Sequence, residues 1–272
     1  REIASQKVVE NLLSTLPTYL DHLKDNNQVL VKDIERLSKT YLMSESDVNH
    51  VRRLQVDLDS LEVTVSDLTS EQEEYSEAYS VLEERLENVQ ATLKEIEDDQ
   101  VSVSERLVQI EKDDVNARQK ANVYVNRLHT IKRYMEKRNL PGIPQNFLKL
   151  FFAASHSTED LLAELEQSQV NIESVNRILE IASHDMEVLE TETYSIVQYA
   201  TLTEQLLQYS NRYRSFDEGI QQAFHESLEI FENAFDYQAS FEKISQALEV
   251  AEPGVTNRFV SSYEKTREII RF

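Results

Sequence analysis

The most regular feature of this sequence is a heptad repeat of apolar residues between Val51 and Met135. If Val51 occupies position a of the repeat abcdefg, the a and d positions are apolar along nearly the whole stretch, and only Gln72, Gln100 and Asp114 among them are strongly polar. No proline or glycine interrupts the run. An apolar residue every 3.5 positions on average predicts helices that pack along a coiled-coil-like seam.

The heptad stretch is compatible with one helix or with two. A capping-box match at residues 102–105 would place a turn there and give three helices, of about 42, 52 and 36 residues, that fold into one bundle. The unbroken register instead favours a single helix of about 130 Å that neighbouring bundles share, and this is the interpretation we prefer.

The residues before the heptad stretch predict another helix, from about Glu2 to Met43. Pro17 either kinks this helix or begins its main body, with Thr15 as a cap just before it. Residues 44–47, Ser-Glu-Ser-Asp, form a capping sequence in which an acid follows a hydroxyl by three positions. We expect a tight turn there, directly before the heptad helix.

The strongest helix-ending signal follows the heptad stretch, at Asn139-Leu-Pro-Gly-Ile-Pro144. A short apolar segment comes next, over residues 147–153, and Ser157-Thr-Glu-Asp160 is expected to cap a further helix. That helix carries a second apolar stripe, from Leu161 to Ile196. The stripe shifts phase after Ile196 and continues to Phe216, which suggests that the helix changes packing partner there.

The chain from Phe216 onward is rich in phenylalanine and predicts three shorter amphipathic helices, at about residues 217–234, 237–251 and 255–271. Large aromatic side chains bury much area each, so this part is expected to form a compact terminal bundle. The predicted organisation is a helical repeat over 1–100, a second repeat over 101–195 that shares long helices with its neighbours, and a terminal bundle over 196–272.

Composition supports an all-α fold and narrows the range of functions. The 272 residues include only 3 Gly and 4 Pro, too few for the turns of a sheet. A net charge of -22 argues against binding to nucleic acid or to an anionic membrane surface. The chain has no cysteine for disulfides or thiolate metal sites, and no apolar run of the roughly 18 residues that a membrane span needs. It begins at Arg1 rather than Met, which leaves room for an upstream portion that carries an anchor.

Candidate chemistry is sparse. None of the 6 histidines lies in a metal-binding motif, and the spacing of Glu180 and His184 arises easily by chance among 50 acidic residues. Three glycines cannot build a phosphate-binding loop. The sequence therefore predicts a protein that is not an enzyme and holds no metal or cofactor.

Two stretches differ from the acidic background. The first, from Arg118 to Arg138, carries seven basic residues and the single acid Glu136. It is either a landing site for an acidic partner or, as we favour, the intramolecular complement of an antiparallel neighbour with the acids of residues 159–173.

The second stretch, Gln205 to Ser215, has no acid at all. At 100° per residue, Gln208, Asn211 and Arg212 share one helical face, roughly opposite the apolar stripe. This face is either a binding surface or an ordinary solvated or hydrogen-bonded surface at the junction with the terminal bundle.

The second stretch also carries a family resemblance. Leu-Leu-Gln-Tyr-Ser-Asn-Arg-Tyr-Arg over residues 206–214 resembles the Gln-Asn-Arg patch of the EzrA family of septation-ring regulators from Gram-positive bacteria. Further matches are residues 139–144 followed by Phe151 and Phe152, and Ile244 to Gly254 followed by Arg258 and Phe259. The resemblance covers at least residues 130–272. The first half of the chain resembles the family only in its helical character.

This resemblance implies a spectrin-like fold of three-helix repeats on the cytoplasmic face of the cell membrane, at the division septum. In that family one N-terminal transmembrane helix, absent here, anchors a cytoplasmic rod. The rod binds the tubulin-like protein FtsZ, restrains ring assembly away from mid-cell, and links the ring to membrane and wall-synthesis proteins. By this resemblance the candidate partner-binding residues are Gln208, Tyr209, Asn211, Arg212 and Arg214. The alternative is a passive coiled-coil spacer or dimerisation module with no direct FtsZ contact.

Overall fold

The computed structural model describes residues 2–74, 79–137 and 145–212, together with Glu226, Lys243 and Gln246. Within these described residues the elements are five α-helices. They are α1 (Glu2–Leu37), α2 (Glu45–Glu74), α3 (Tyr79–Lys137), α4 (Gln145–Leu165) and α5 (Ile172–Arg212). The prediction of an all-α fold is confirmed. Within the described residues, β-pairing is limited to one isolated parallel bridge, between Tyr41 and Val170.

The chain forms two compact units. The first comprises Arg1–Val115 with Gln167–Ile172, and the second comprises Asn116–Glu166 with Glu173–Phe272. The boundary falls inside α3, so this 59-residue helix contributes to both units. A long helix shared between bundles was predicted from the heptad register. The predicted division near residues 100 and 195 stays a prediction.

The first unit contains a three-helix bundle of α1, α2 and the first part of α3. Asp47 contacts Arg106 and Glu71 contacts Arg85, so α2 and α3 run antiparallel. In α1, Tyr19 contacts Glu97 and Arg36 contacts Glu111, which makes α1 parallel to α3. Leucines and valines of all three helices fill one common core.

The antiparallel arrangement of α2 and α3 corrects our preferred interpretation of the heptad stretch. Val51 to Met135 is therefore not one helix, because it contains the separate, antiparallel helices α2 and α3. The alternative turn at residues 102–105 is wrong as well, because these residues lie within α3. The apolar register is continuous across the reversal, since each antiparallel helix presents its own a and d residues to the same core.

Burial follows the heptad register closely along α3. Every a and d position from Leu82 to Met135 is buried except Ile110, which is half-buried. The two polar a positions are buried too, at 4% exposure for Gln100 and 8% for Asp114. Both find partners from α1 and the residues that follow it. The Gln100 amide donates to the Leu23 carbonyl at 2.8 Å, and the Tyr41 hydroxyl donates to Asp114 at 3.1 Å.

The predicted start of α2 is confirmed and the predicted cap in α1 is not. The Ser44 hydroxyl accepts from the Ser46 N–H at 3.2 Å, which satisfies one free donor of the first turn of α2. In contrast, Thr15 lies inside α1, where its hydroxyl donates back to the Asn11 carbonyl at 2.9 Å. Pro17 also lies inside α1, which ends at Leu37 rather than near Met43.

The second unit contains another three-helix bundle, formed by the last part of α3, by α4 and by α5. Arg118 reaches the end of α4, at Leu165, so α3 and α4 run antiparallel. Tyr124 contacts Ser183 and Arg127 contacts Glu190, which makes α5 parallel to α3. Buried residues on each helix form the core, among them Tyr124, Leu128, Ile131, Phe147, Leu161, Leu179, Met186 and Leu189.

The helix predicted to start at Ser157 and run past Ile196 is two helices. Ser157 lies inside α4 and donates to the Ala153 carbonyl at 3.0 Å, so it is not a cap. The break falls instead at residues 166–171, which contain neither glycine nor proline. There the chain pairs with the residues after α1. The Leu42 N–H donates to the Val170 carbonyl at 2.9 Å, and the Val170 N–H donates to Thr40 at 2.8 Å.

Candidate interaction surfaces

The candidate partner-binding residues lie near the end of the last long helix. Gln208, Tyr209, Asn211 and Arg212 belong to the final turns of α5, whose backbone is helical through Arg212. Positions 208, 211 and 212 are related by three and four residues and therefore occupy one face of that helix. Arg214 and the predicted terminal helices lie outside the described residues, apart from an ion pair between Glu226 and Lys243.

The first half of α5 is held firmly against α3. The hydroxyls of Tyr124 and Ser183 are 2.7 Å apart, and the Arg127 guanidinium lies 2.5 Å from the Glu190 carboxylate. Buried apolar residues at helical spacing continue along α5 to Ile196 and Val197. Burial of two adjacent residues means that the core encloses a wider arc of α5 at the point where the apolar stripe changes phase.

Glu192, on the same part of α5, has an unusual environment. Its Oε2 atom is buried and has no hydrogen-bond partner among the residues that the structure describes. Burial disfavours the charged carboxylate, so it raises the pKa of Glu192 above its ordinary value. The adjacent Thr193 is fully buried and donates to the Leu189 carbonyl at 2.7 Å.

The basic stretch of α3 is not neutralised as we expected. We favoured an antiparallel neighbour whose acids, over residues 159–173, answer these charges. The neighbour is indeed antiparallel, but Arg118 donates to the Leu165 backbone carbonyl at 3.0 Å in the contact with α4. Arg127 pairs with Glu190 of α5 instead. Within the described part of the chain, the exposed Lys120, Lys132 and Arg133 have no ion pair.

The outer face of the same segment carries a polar stripe that the sequence analysis did not single out. It consists of the exposed residues Gln119, Asn122, Asn126, His129 and Arg133. Their spacing of three and four residues places them on one side of α3, at the b and f positions of the heptad. The signal was available in the sequence, since b and f positions are fixed once the apolar a and d positions are known.

Over residues 2–74, 79–137 and 145–212, no group of three or more His, Cys, Asp or Glu side chains is arranged to hold a metal ion. None of the helices described is long and apolar enough to cross a membrane.

Comparison with known proteins gives one family. A family model described as "Septation ring formation regulator, EzrA" matches residues 1–263. Similar curated proteins are the septation ring formation regulators EzrA of Streptococcus pneumoniae strains Hungary19A-6, 70585 and D39. Each is 75% identical to this chain over all 272 residues. The chain spans about half of these relatives, since the match covers 47% of each one. No solved structure matches the chain.

Proposed function

Because this chain belongs to the EzrA family of septation ring formation regulators, we propose that it is a scaffold segment that restrains FtsZ assembly during cell division. In this proposal the segment is not an enzyme and acts through binding alone. It works at the cytoplasmic face of the membrane at the septum, where it connects the ring to membrane and wall-synthesis proteins. An N-terminal anchor, as the family resemblance implies, would hold it there.

The observation that carries the proposal is the family match over residues 1–263, together with 75% identity to curated septation ring regulators. The fold is compatible with a scaffold role. Two three-helix bundles bury their apolar stripes internally and share α3, and their exposed positions are mostly polar, although valines such as Val101, Val108 and Val115 are exposed too. Such a surface is suited to recognition by polar contacts.

We propose that the contact with FtsZ uses the face of α5 that carries Gln208, Asn211 and Arg212, flanked by Tyr209 and Arg214. Amide and guanidinium groups offer several hydrogen-bond donors at defined helical spacing, and arginine and tyrosine are frequent at the energetic centres of interfaces. Occupation of the FtsZ surface by this helical face would hinder lateral association of filaments.

The test is co-sedimentation of this chain with FtsZ filaments assembled with GTP. The variant Gln208→Ala, Asn211→Ala and Arg212→Ala should lose most of the binding, with affinity about tenfold weaker, because it removes polar groups central to the contact. Circular dichroism should show that it is as helical as the wild type.

A matched control removes the same residue types elsewhere. Asn88, Gln90 and Arg53 are exposed residues of the first unit, and their triple alanine variant should bind FtsZ like the wild type. Equal binding by both variants would refute the α5 contact. Absence of binding by the wild type would favour the rival hypothesis, that the chain is a passive spacer or dimerisation module.

A further inference from the structure

A groove of about 290 Å³ lies between α1 and α2 of the first unit. Its lining residues are Pro17, Leu20 and Asp21 of α1 and Glu62, Val65, Ser66, Thr69 and Ser70 of α2. Within each set the residues are three or four positions apart, so each set occupies one face of its helix. Lys24, one turn further along the same face of α1, bonds to Glu62 and shows that the two faces meet.

The inner part of the groove is apolar. Leu20 and Val65 are buried, and Pro17 lies beside them on the α1 side. The volume is just below the ~300–1,000 Å³ that is typical of small-molecule sites. The groove therefore suits one long side chain, whose aliphatic part can pack on these residues, better than it suits a cofactor.

Carboxylates outnumber cations at this groove. Asp59 and Glu62 both contact the ammonium of Lys24, with 3.4 Å between Lys24 Nζ and the Asp59 carboxylate. Asp21 is exposed and has no ion pair among the described residues. Three carboxylates thus face one ammonium, which leaves two negative charges that the fold does not neutralise. A nucleic acid or an anionic lipid headgroup would be repelled here.

The hydroxyl groups at the groove add acceptors. The Thr69 hydroxyl donates to the Val65 carbonyl at 2.8 Å, and the Ser70 hydroxyl donates to the Ser66 carbonyl at 3.2 Å. Because their hydrogens are engaged in these bonds, both hydroxyl oxygens offer only lone pairs to a ligand. Ionised carboxylates likewise only accept. Among the side chains that line the groove, that of Ser66 is the one with a hydrogen left to donate, so a ligand must bring donors of its own.

We propose that this groove binds an arginine side chain from a basic segment of a partner protein. A guanidinium has five donors and no acceptor, and it pairs with carboxylates in a forked geometry. In the proposed complex it contacts Asp21 and Glu62, and its aliphatic stem packs on Leu20 and Val65. The site is in the first unit and is independent of the proposed contact between α5 and FtsZ.

The chemistry of the groove favours arginine over lysine. A lysine ammonium is a compact, strongly hydrated charge with three donors, whereas the planar guanidinium can reach several acceptors at once and is more weakly hydrated. A site with carboxylates on both helices and hydroxyl oxygens between them matches the wider donor set. We therefore expect an arginine peptide to bind more tightly than a lysine peptide of the same length and charge.

The test uses a fluorescein-labelled peptide of about eight residues in which arginine alternates with serine. Its anisotropy is followed at about 100 mM NaCl, where attraction to the net charge of the whole chain is screened beyond about 10 Å. The wild-type chain should bind this peptide saturably. A peptide with lysine in place of arginine should bind at least about threefold more weakly, and one with neutral citrulline should not bind.

The first pair of variants separates the groove from the net charge. Asp21→Asn with Glu62→Gln should weaken binding at least about tenfold, since both carboxylate partners are removed. The matched control, Glu84→Gln with Asp98→Asn, changes the net charge by the same amount at exposed f positions of α3. It should weaken binding less than about threefold, because these positions lie outside the groove.

The second pair of variants leaves the charge unchanged. A helical side chain leans toward the N-terminus of its helix, so Ser66→Met should extend toward Glu62, obstruct the groove and weaken binding about tenfold. The control Ser60→Met places the same side chain at an exposed position of α2 outside the groove and should bind like the wild type. Circular dichroism checks that all four variants fold.

Four results would overturn the proposal. One is absence of saturable binding of the arginine peptide by the wild type, and another is equal weakening by the two charge variants. The third is wild-type affinity in Ser66→Met, which would show that the peptide binds elsewhere. The fourth is binding of the polyamine spermidine that depends on Asp21 and Glu62, without any binding of the arginine peptide, which would identify a site for small cations.

Discussion

At the scale of single residues, the most unusual feature is the burial of polar side chains in the apolar core of the first unit. Gln100 of α3 and Asn27 of α1 are buried among leucines, at 4% and 0% exposure. Gln100 donates a hydrogen bond to the Leu23 carbonyl, and Asn27 donates to the Gln55 side chain and to the Val51 carbonyl. Their carbonyl oxygens have no partner among the described atoms. Polar residues at core positions lower the stability of a bundle but favour one helix register over others. We assign this role in register selection to Gln100 and Asn27.

The Tyr19–Glu97 contact gives a prediction for alkaline pH. Burial, followed by the hydrogen bond to the Glu97 carboxylate, raises the pKa of Tyr19 to about 12, from an ordinary value of 10.0. The folded state therefore keeps the phenolic proton longer than the unfolded state. The stability that this provides is complete below pH 10 and is lost as the pH rises from about 10 to 12.

We expect Tyr19→Phe to have a free energy of unfolding that falls less steeply between pH 10 and 12 than that of the wild type, as measured by urea titration. Ultraviolet absorbance should independently show one late-titrating phenol in the wild type that the variant lacks. Parallel pH profiles of the two proteins would contradict the assignment.

At the scale of elements, the helix ends are set by partners far away in the sequence. α4 ends at Leu165, whose carbonyl accepts from Arg118, 47 positions earlier. The connection to α5 is held by backbone bonds to the residues after α1 and by the Gln169 amide, which donates to the Ser38 carbonyl at 2.8 Å. These bonds satisfy backbone groups that a helix end would otherwise leave unpaired.

The backbone hydrogen bond from Leu42 to Val170, which is part of the bridge between Tyr41 and Val170, is testable by removal of a single N–H group. Leu42 is 57% exposed, so its side chain contributes little to the core. We expect Leu42→Pro, which lacks the N–H that donates to Val170, to lower the free energy of unfolding by about 1–3 kcal/mol. The matched variant Leu42→Ala keeps that N–H and should lie within about 0.5 kcal/mol of the wild type. Urea denaturation followed by circular dichroism measures both, and similar values for the two variants would refute the role of the bridge.

At the scale of the whole molecule, two properties dominate. One is the sharing of α3, which supplies the third helix of one bundle and the first helix of the next. The other is the net charge of -22, which the exposed ion pairs relieve only locally. Self-repulsion of this size opposes compact folding, whereas exposed ion pairs contribute little each.

We therefore expect the thermal midpoint to rise by a few degrees when NaCl is increased from about 20 to about 300 mM, because salt screens the net repulsion. Circular dichroism on heating measures this. The variant Glu84→Gln, Glu87→Gln and Asp98→Asn has three fewer negative charges on exposed positions of α3, and its salt response should be smaller. A midpoint that falls with salt would show that ion pairs such as Arg106–Asp47 outweigh the repulsion.

The sequence alone determined the helical class, the buried faces and the start of α2. The scarcity of glycine and proline and the 3.5-residue apolar period specify helices and the side that each one buries, since both depend on local geometry. The same period favoured one long helix shared between bundles, but it placed that helix over Val51 to Met135 and not over the range of α3. Capping patterns, in which an acid follows a hydroxyl by three positions, were less reliable predictors of helix starts. The pattern at Ser44 marks a cap, whereas the one at Ser157 lies inside α4.

Only the tertiary structure decided where the chain turns and what its polar groups contact. A heptad pattern is the same for one long helix and for two antiparallel helices, so it does not show that α2 and α3 are separate helices. The break after Leu165 likewise depends on Arg118 and on the residues after α1. The free energy of such contacts arises from groups that are distant in sequence and adjacent only after folding, and no local pattern encodes it.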